Sequence, residues 1–381
     1  MTEPFTELHP MARLPAEWEE LAVSLGERAF RGRQVFKWVQ ARGVTDPSAM
    51  TDLPPGFRER LADPRLAMPL TVTDVRRARD GTRKLVCELA LGGKIECVVI
   101  PMSDDPDDDP EDEDGNWDGR VTLCISTQIG CAMGCTFCAS GQAGLERGLK
   151  AEEIIAQVLV ARAHLAPGEH LRNLVFMGMG EPLHHYDETA RAIRLLTHPE
   201  GIGMSPRRIT VSTVGLVPGI RRLGEDFDGK VGLALSLHAP NDEVRNAIVP
   251  MNRRFTVRDV LDAVRAYPLP KRRRVTIEYI LIAGVNDGPA HATELARVLR
   301  GLRVKVNLIP MNPISAAKMG SPEAARVETF KELLARDGYS VFVRKQRGDD
   351  VDAACGQLVL REKLERKARG NVPTGPGSEP G

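Results

Sequence analysis

The sequence predicts an α/β fold: a partial (βα)6 TIM-like barrel, preceded by a small N-terminal helical domain and a β-hairpin extension. From Lys150 onward, helical segments alternate with short apolar runs, a pattern typical of parallel strands joined by crossover helices. Six such runs occur, which is too few for a closed eight-stranded barrel and therefore predicts an open one. They lie at 173–177, 208–212, 231–237, 275–282, 304–309 and 340–343.

The chain before the barrel divides into two parts. Residues 1–68 show helical periodicity and predict a small accessory domain, in which Phe30, Val35, Phe36 and Trp38 form the core and neighbouring arginines a basic face. Residues 69–102 change to alternating and β-branched residues around a Gly-Gly turn, which predicts a β-hairpin.

The rest of the chain completes the predicted organisation. Residues 103–118 are expected to form an acidic flexible loop, because nine acidic residues and no basic one stand between 104 and 114. Residues 119–358 are expected to form the barrel domain, which opens with a strand at 120–126. Residues 359–381 are expected to hold a helix end and a disordered tail.

Charge and composition restrict the functional classes. The chain has 52 basic and 52 acidic residues, so outside the nine-residue acidic block 52 basic face 43 acidic residues. Basic clusters that could neutralise phosphates occur at 207–208, 253–254, 271–274 and 344–347. No apolar run is long enough to span a bilayer, no signal peptide is apparent, and the seven cysteines are an odd number. We therefore expect a cytoplasmic protein with reduced thiols.

Three cysteines mark the centre of the chemistry. Cys131, Cys135 and Cys138 follow Cys-x3-Cys-x2-Cys spacing, with Gly130 and Gly134 allowing the backbone to bend around a bound group. Three thiolates can hold three corners of a [4Fe–4S] cluster and leave the fourth iron open to a small molecule. A zinc site and coincidence are the alternatives, but zinc normally takes four ligands and no second Cys or His pair follows. The spacing is similar to that of the radical S-adenosylmethionine (SAM) superfamily.

Polar side chains stand where the predicted strands end, which is where such barrels gather their chemistry. A glycine-rich turn precedes Glu181, a candidate acceptor for an ammonium group, and this turn resembles the SAM-binding motif of the superfamily. Ser212 is a candidate for binding the SAM carboxylate, with a local Ser/Thr turn as the alternative. Ser236 and His238 end another strand, although a lone histidine is more often structural. Asn312 is a candidate for reading an adenine or ribose edge.

The resemblance extends over nearly the whole chain to one group, the RlmN/Cfr family of radical SAM RNA methyltransferases. The matching stretches are Ser126-Thr-Gln-Ile-Gly-Cys, Gly178-Met-Gly-Glu-Pro-Leu, Ser236-Leu-His-Ala-Pro-Asn, Val275-Thr-Ile-Glu-Tyr, Asn307-Leu-Ile-Pro and Arg347-Gly-Asp-Asp, together with the segment at 31–38. The long acidic block at 104–114 departs from the family pattern.

The resemblance implies specific roles, of which RNA binding falls to the helical domain at 1–68. Cys131, Cys135 and Cys138 would hold one [4Fe–4S] cluster, Cys355 would carry a transient methyl group, Cys124 would resolve the intermediate and Glu96 would be the general base. Two SAM molecules would be used per turnover. The residues at SAM-contacting positions are Gly180, Glu181, Ser212, Ser236, Leu237, His238 and Asn312.

The implied reaction is methylation of adenine carbon 2 in 23S rRNA, and in tRNA next to the anticodon. That carbon is too electron-poor to attack SAM directly, which requires a radical route. Cys355 is methylated first, its methyl group becomes a carbon radical and adds to the adenine, Glu96 takes the carbon 2 proton, and Cys124 releases the product by forming a disulfide with Cys355. An external electron donor, a disulfide reductant and a monomeric enzyme are further expectations.

Three alternatives stay open at this point. The motifs discriminate poorly between methylation at carbon 2 and the Cfr-like methylation at carbon 8, which confers antibiotic resistance; the N-terminal helical segment favours carbon 2. A non-catalytic RNA-binding protein with a structural metal site is opposed by the strand-end motifs. A radical SAM enzyme acting on a small molecule or protein is opposed by Cys124 and Cys355.

Overall fold

The computed structural model describes residues 8–102, 119–312, 319–345, 347–354 and 356–358. The predicted acidic loop at 103–118, Cys355 and the predicted C-terminal tail at 359–381 lie outside the described residues. The helices are α1 (Pro15–Ser24), α2 (Phe30–Phe36), α3 (Pro55–Leu61), α4 (Ala139–Ala143), α5 (Ala151–Arg162), α6 (Tyr186–Thr197), α7 (Val217–Asp226), α8 (Asp242–Ile248), α9 (Val257–Ala266), α10 (Pro289–Val298) and α11 (Ala324–Arg336).

Twelve strands occur among the described residues. They are β1 (Leu70–Arg77), β2 (Arg83–Leu89), β3 (Lys94–Pro101), β4 (Arg120–Cys124), β5 (Gln128–Ile129), β6 (Arg147–Gly148), β7 (His170–Phe176), β8 (Ile209–Thr213), β9 (Gly232–Ser236), β10 (Val275–Leu281), β11 (Val304–Pro310) and β12 (Val341–Val343). The short strands β5 and β6 pair with each other, and the other ten form one sheet.

The large sheet confirms the predicted α/β class. Its order is β1-β2-β3-β4-β7-β8-β9-β10-β11-β12, and every neighbouring pair from β4 to β12 is parallel. At least one helix lies between each of these strands and the next along the chain, as parallel crossovers require. Strand β10 is buried at every position, so the sheet is covered there on both faces.

The extension before the barrel has one strand more than the predicted hairpin. Strands β2 and β3 pair antiparallel as predicted, but β1 also pairs antiparallel with β2. Strand β3 in turn pairs antiparallel with β4, the first barrel strand. The extension therefore continues the barrel sheet.

The N-terminal helices pack on one another and on the barrel. Gly32 in α2 allows the close approach of α1, because a Cβ there would lie 2.3 Å from the Trp18 carbonyl oxygen. Val35 and Phe36 are fully buried as predicted, whereas Phe30 is 47% exposed, so the prediction that it belongs to the core is wrong. A guanidinium of the barrel, Arg191, pairs with Glu17 of α1 at 2.9 Å. None of the described helices is long and apolar enough to cross a membrane.

Candidate active site

A glycine sets the turn at the start of the loop that carries the three cysteines. Gly130 has a φ of +77°, and a Cβ there would lie 1.8 Å from the carbonyl oxygen of Gly144, so no other residue fits this turn. Cys131 and Cys135 are buried, and Cys138 is half-buried and donates its backbone N–H to the Cys135 carbonyl. The loop therefore folds all three cysteines into one apolar pocket.

The chemistry of this donor set fits an iron–sulfur cluster. Burial raises the pKa of the Cys131 thiol to about 12 and that of Cys135 well above its ordinary value, and each thiol is further disfavoured as a thiolate by charge on its neighbours. Three thiolates so close together need a positively charged group, which iron supplies. Among the described residues, no three His, Cys, Asp or Glu side chains are arranged for one metal ion. A cubane cluster makes no such demand, because its thiolates bind separate irons.

The residues predicted to contact SAM gather at the carboxyl ends of adjacent barrel strands. Ser212 in β8 and Ser236 at the end of β9 bring their Oγ atoms to 3.3 Å. The glycine-rich turn follows β7, and Met179 in it donates its N–H to the Ser126 hydroxyl at 2.9 Å. Asn312 is buried just after β11. The parallel topology brings these separate stretches together.

Glu181 is a buried carboxylate fixed by backbone amides. Its Oε1 accepts from the Leu183 N–H at 3.0 Å and its Oε2 from the Val214 N–H at 2.9 Å. The Glu181 N–H itself donates to the side-chain oxygen of Gln128. Burial raises the pKa of Glu181 to about 7, and the amide hydrogen bonds oppose that shift. The carboxylate is thus held in one orientation beside the cysteine loop.

His238 is held as a neutral ring. It has a φ of +60°, which is uncommon for a residue with a Cβ, and its Nδ1 accepts from the Ile280 N–H at 3.1 Å. Burial, with a smaller effect of Arg245, lowers the pKa of His238 to about 3. Since Nδ1 is an acceptor, the proton of the neutral ring lies on Nε2, which is therefore a donor.

Arg245 was not singled out from the sequence, yet it fixes two strand ends. It is fully buried, and its guanidinium donates to the carbonyls of Leu237, Ser236 and Val214 at 2.9, 3.2 and 2.6 Å. It also donates to the side chain of Asn252 at 2.9 Å. One side chain thus positions the backbone after both β8 and β9.

The predicted base and the predicted resolving cysteine lie on one face of the sheet. Cys124 ends β4 and pairs with Val98 of β3, and Glu96 stands two residues before Val98. Because residues two apart in a strand face the same side, Glu96 and Cys124 project from the same face. Both are buried. The Ser126 hydroxyl donates to the Glu96 carbonyl at 2.6 Å, which ties this strand to the glycine-rich turn.

Lys84 is the second residue that the sequence reasoning missed. It lies in β2, its side chain is 2% exposed, and its Nζ is 3.1 Å from Glu96 Oε1. The same ammonium group donates to the Asp352 carbonyl at 3.0 Å. Lys84 thus connects the predicted base to the segment that leads to position 355.

The other side of position 355 contacts the cysteine loop. The Gly356 carbonyl accepts from the Ala139 N–H at 2.8 Å, and the Leu358 carbonyl accepts from the Ser140 hydroxyl. Ala139 directly follows Cys138. The residues flanking position 355 therefore lie between the Lys84–Glu96 pair and the cysteine loop.

Comparison with known proteins identifies the family. The model described as "Radical SAM superfamily" matches residues 125–296, and the model described as "Ribosomal RNA large subunit methyltransferase N-terminal domain" matches residues 15–65. The chain is 57% identical over 374 residues to the dual-specificity RNA methyltransferase RlmN of Sorangium cellulosum, covering 93% of this chain and 96% of that protein. The chain belongs to the RlmN family of radical SAM RNA methyltransferases.

Two further similarities agree with this assignment. The dual-specificity RNA methyltransferase RlmN of Marinobacter nauticus is 44% identical, over 92% of this chain and 91% of that protein. The crystal structure of a radical SAM methyltransferase from Sphaerobacter thermophilus matches with a TM-score of 0.83 and 44% identity, over 91% of this chain and 98% of that one. Superfamily membership implies a [4Fe–4S] cluster and SAM, and membership of the RlmN family implies RNA substrates.

A basic cavity lies inside the barrel of this RlmN-family chain. It has a volume of about 270 Å³, and three of the four basic clusters noted in the sequence line it. Two of them, Arg207–Arg208 and Arg273–Arg274, stand immediately before β8 and β10, hence at the amino ends of these strands. The fourth cluster, at 253–254, does not line it. Among the described residues, the lining cations are Arg207, Arg208, Arg273, Arg274, Lys305, Arg344, Lys345 and Arg347.

Proposed function

We propose that this RNA methyltransferase modifies carbon 2 of an adenine in 23S rRNA, and the adenine next to the anticodon in tRNA, through a methylated Cys355 and a transient Cys124–Cys355 disulfide. The names of the relatives support two RNA substrates, since they are called dual-specificity RNA methyltransferases. The match of residues 15–65 to a ribosomal RNA methyltransferase domain supports the large ribosomal RNA as one of them.

The observation that carries the proposal is a pair of contacts made by residues on the two sides of position 355. Asp352 on one side contacts the Lys84 ammonium group that also pairs with Glu96. Gly356 on the other side contacts Ala139, next to Cys138. A methyl carrier must reach both the proposed base and the proposed cluster, and these contacts of Asp352 and Gly356 support that role for Cys355.

The geometry at the strand ends supports the proposed binding roles. Cys131, Cys135 and Cys138 would hold the cluster, and SAM would contact the residues at the ends of β7, β8, β9 and β11. When bound, the cluster and SAM supply the hydrogen-atom removal that activates a methyl group. The fixed Glu181 carboxylate would accept from the ammonium group of SAM. The Nε2–H of His238 would donate to an acceptor atom of SAM. The residues proposed for SAM binding are Gly180, Glu181, Ser212, Ser236, Leu237, His238 and Asn312.

Three residues would act in the transfer of the methyl group to the RNA. The Cys355 thiolate would attack the methyl carbon of one SAM molecule and displace S-adenosylhomocysteine, because sulfur is a good nucleophile. Bonding of the activated methylene carbon to adenine carbon 2 leaves an adduct with one unpaired electron. The adduct would pass this electron to the oxidised cluster, and Glu96 would accept the proton from carbon 2, which restores the aromatic ring. The Cys124 thiolate then attacks the Cys355 sulfur and the carbon–sulfur bond breaks. The electron pair leaves with the methylene carbon, which takes up a proton to become the methyl group of the adenine. The disulfide that forms is reduced by an external thiol reductant.

Isotope labelling tests the relay. The reconstituted enzyme is incubated anaerobically with SAM carrying a trideuterated methyl group, dithionite and an unmodified 23S rRNA fragment, and the RNA is digested for nucleoside mass spectrometry. We expect methyladenosine with two deuterium atoms and the methyl group at carbon 2. Three deuterium atoms would mean direct transfer, and a methyl group at carbon 8 would refute the proposed position.

Cys124→Ala tests the resolving role. We expect RNA to accumulate covalently on the protein, because the carbon–sulfur bond to Cys355 can no longer be cleaved by disulfide formation. The matched control is Cys87→Ala, which removes another buried thiol outside the proposed site. A gel shift resistant to denaturant measures the adduct. Free methylated RNA formed at the normal rate by Cys124→Ala would rule out this role.

A further inference from the structure

A buried carboxyl group of the barrel interior is not used by the proposed reaction. Glu278 lies in the middle of β10, and its neighbours in the sheet are Ser236 of β9 and Asn307 of β11. Its side chain lines the basic cavity, and it is the one carboxylate among the described residues that do so. The stretch around it was noted for its resemblance to the family, but the sequence assigned Glu278 no role.

The two oxygens of Glu278 differ in their hydrogen bonds. Oε1 accepts from the Asn307 side-chain amide at 3.2 Å. Glu278 is only 4% exposed, and its Oε2 is buried. This oxygen nevertheless has no hydrogen-bond partner among the described residues. Burial raises the pKa of Glu278, whereas Arg344, the Asn307 hydrogen bond and Lys305 act in the opposite direction. A buried polar atom without a partner is rare in proteins, so Oε2 is available to a ligand group that enters the cavity.

The position of Glu278 distinguishes between the two ligands of the proposed reaction. None of the seven residues proposed to bind SAM lines the cavity, whereas Glu278 does. The cavity is otherwise rich in cations, which suits the phosphates of an RNA chain. The ligand group that meets Glu278 is therefore expected to belong to the RNA.

The chemistry of the carboxyl group indicates which part of the RNA it meets. An ionised carboxylate is an acceptor only, so Oε2 requires a donor. On an adenine base the exocyclic amino group is the hydrogen-bond donor that identifies the base. We propose that Glu278 Oε2 accepts a hydrogen bond from the exocyclic amino group of the target adenine, an inference that rests on the proposed function. Glu278 is then the residue that determines specificity for that amino group.

The contact with Asn307 makes Glu278→Gln a sharp test. Because the Asn307 amide donates to Oε1, the glutamine oxygen should occupy that position and the glutamine NH2 group should occupy the place of Oε2. An acceptor then becomes a donor without a change of shape. In the double variant Glu278→Gln/Asn307→Asp, the new carboxylate accepts from the glutamine NH2 group, so the glutamine oxygen turns back toward the ligand.

The experiment compares two RNA fragments that differ at the target position, one with adenosine and one with purine riboside, which lacks the amino group. Methyl transfer and RNA affinity are measured for the reconstituted holoenzyme. Losing a hydrogen bond to a buried charged group is expected to lower kcat/KM for the purine fragment about 10- to 100-fold in the wild type. In Glu278→Gln we expect the kcat/KM values for the adenosine and purine fragments to lie within about 2-fold of each other. In the double variant the preference for adenosine should return at least in part.

The outcomes separate the inference from the proposed function. A wild-type preference that persists in Glu278→Gln, with normal methylation of adenosine, overturns the role of Glu278 and leaves the proposed function intact. A 10-fold weaker SAM affinity of Glu278→Gln with an unchanged RNA preference assigns the residue to SAM and also overturns it. If no methyl group is transferred, the proposed function fails, and the RNA affinities still decide the inference: a preference for adenosine that Glu278→Gln abolishes supports it, and its absence refutes it.

Discussion

The two ends of the barrel are built on different principles. At the carboxyl ends of the strands, Glu181, His238 and Arg245 are buried and bonded largely to backbone groups. At the amino ends of β8 and β10, arginine side chains line a cavity whose chemistry depends on charge. At the carboxyl end, hydrogen bonds hold the polar side chains in fixed orientations. At the amino end, the cavity acts mainly through its positive charge.

This difference predicts how each end responds to change. Hydrogen bonds in a buried site are insensitive to salt, and removing one partner leaves others unsatisfied. Interactions of cations with phosphates depend steeply on salt and are individually weak. Substitutions at the carboxyl end should therefore affect stability and turnover, whereas substitutions in the cavity should affect RNA affinity.

The largest effect is expected for Arg245→Met. Its removal leaves several buried carbonyl groups at the ends of β8 and β9 without a donor, so we expect the free energy of unfolding to fall by about 3–5 kcal/mol. Urea denaturation measures it. Arg258→Met is the control, because the Arg258 side chain is 90% exposed and should change stability by less than about 0.5 kcal/mol. A loss below 1 kcal/mol for Arg245→Met, on the order of one ordinary hydrogen bond, would contradict the idea of a rigid end.

The sequence predicted the parts of this end that depend on short-range pattern. The spacing of Cys131, Cys135 and Cys138 and the glycine-rich turn before Glu181 are local, and the alternation of helices and strands brought the strand-end residues together. Arg245 escaped because an arginine in a short polar helix is ordinarily solvated. Its burial follows from the contact of α8 with two strand ends, which no local pattern encodes.

Long-range contacts explain the other omissions. Lys84 stands in a strand where lysine is usually exposed, and it is buried because the segment around Asp352, 268 residues later, covers it. Glu278 belongs to an apolar run whose register with Ser236 and Asn307 decides its surroundings. Strand β1 was missed because its pairing with β2 includes an irregularity at Val72–Asp74 that interrupts simple alternation.

The pH dependence of stability should reveal the neutral His238. Its pKa of about 3 lies below the ordinary 6.5, so the unfolded chain binds the proton more readily, and stability is lost as the pH falls from 6.5 toward 3. At about pH 4 the resulting loss in the free energy of unfolding is roughly 3 kcal/mol. His238→Asn tolerates the positive φ and does not titrate, so its stability should fall about 3 kcal/mol less than that of the wild type between pH 7 and 4.

Urea denaturation at the two pH values measures this difference, and each variant is compared with the wild type at the same pH. His170→Asn, at an exposed position, is the control and should follow the wild type. Parallel acid loss in His238→Asn and the wild type would mean that His238 accepts a proton in the folded protein, and the carboxyl end would then be less rigid than its hydrogen bonds indicate.

Lys84→Met tests the link between the proposed base and the segment around position 355. We expect kcat to fall about 100-fold, the lower range for misplacing a general base, because both Glu96 and the Asp352 carbonyl lose a cationic donor. The KM for RNA should change by less than about 2-fold, since Lys84 does not line the basic cavity. Lys84→Arg should recover part of the rate, whereas Lys230→Met at an exposed site should change nothing. An effect on KM alone would place Lys84 with the RNA-binding cations.

The smallest effect is expected for two cations of the cavity. In Arg207→Gln/Arg274→Gln we expect the KM for RNA to rise about 10-fold at low salt, with kcat at saturating RNA unchanged, because these side chains would act through phosphate charge. The slope of log affinity against log salt should become less steep by about 0.7 for each phosphate that the variant no longer neutralises. Arg253→Gln/Arg254→Gln is the matched control, since it removes the same charge from the cluster outside the cavity. Equal effects of the two double variants would show that RNA affinity depends on overall charge. The cavity at the amino end would then have no special role in binding RNA phosphates.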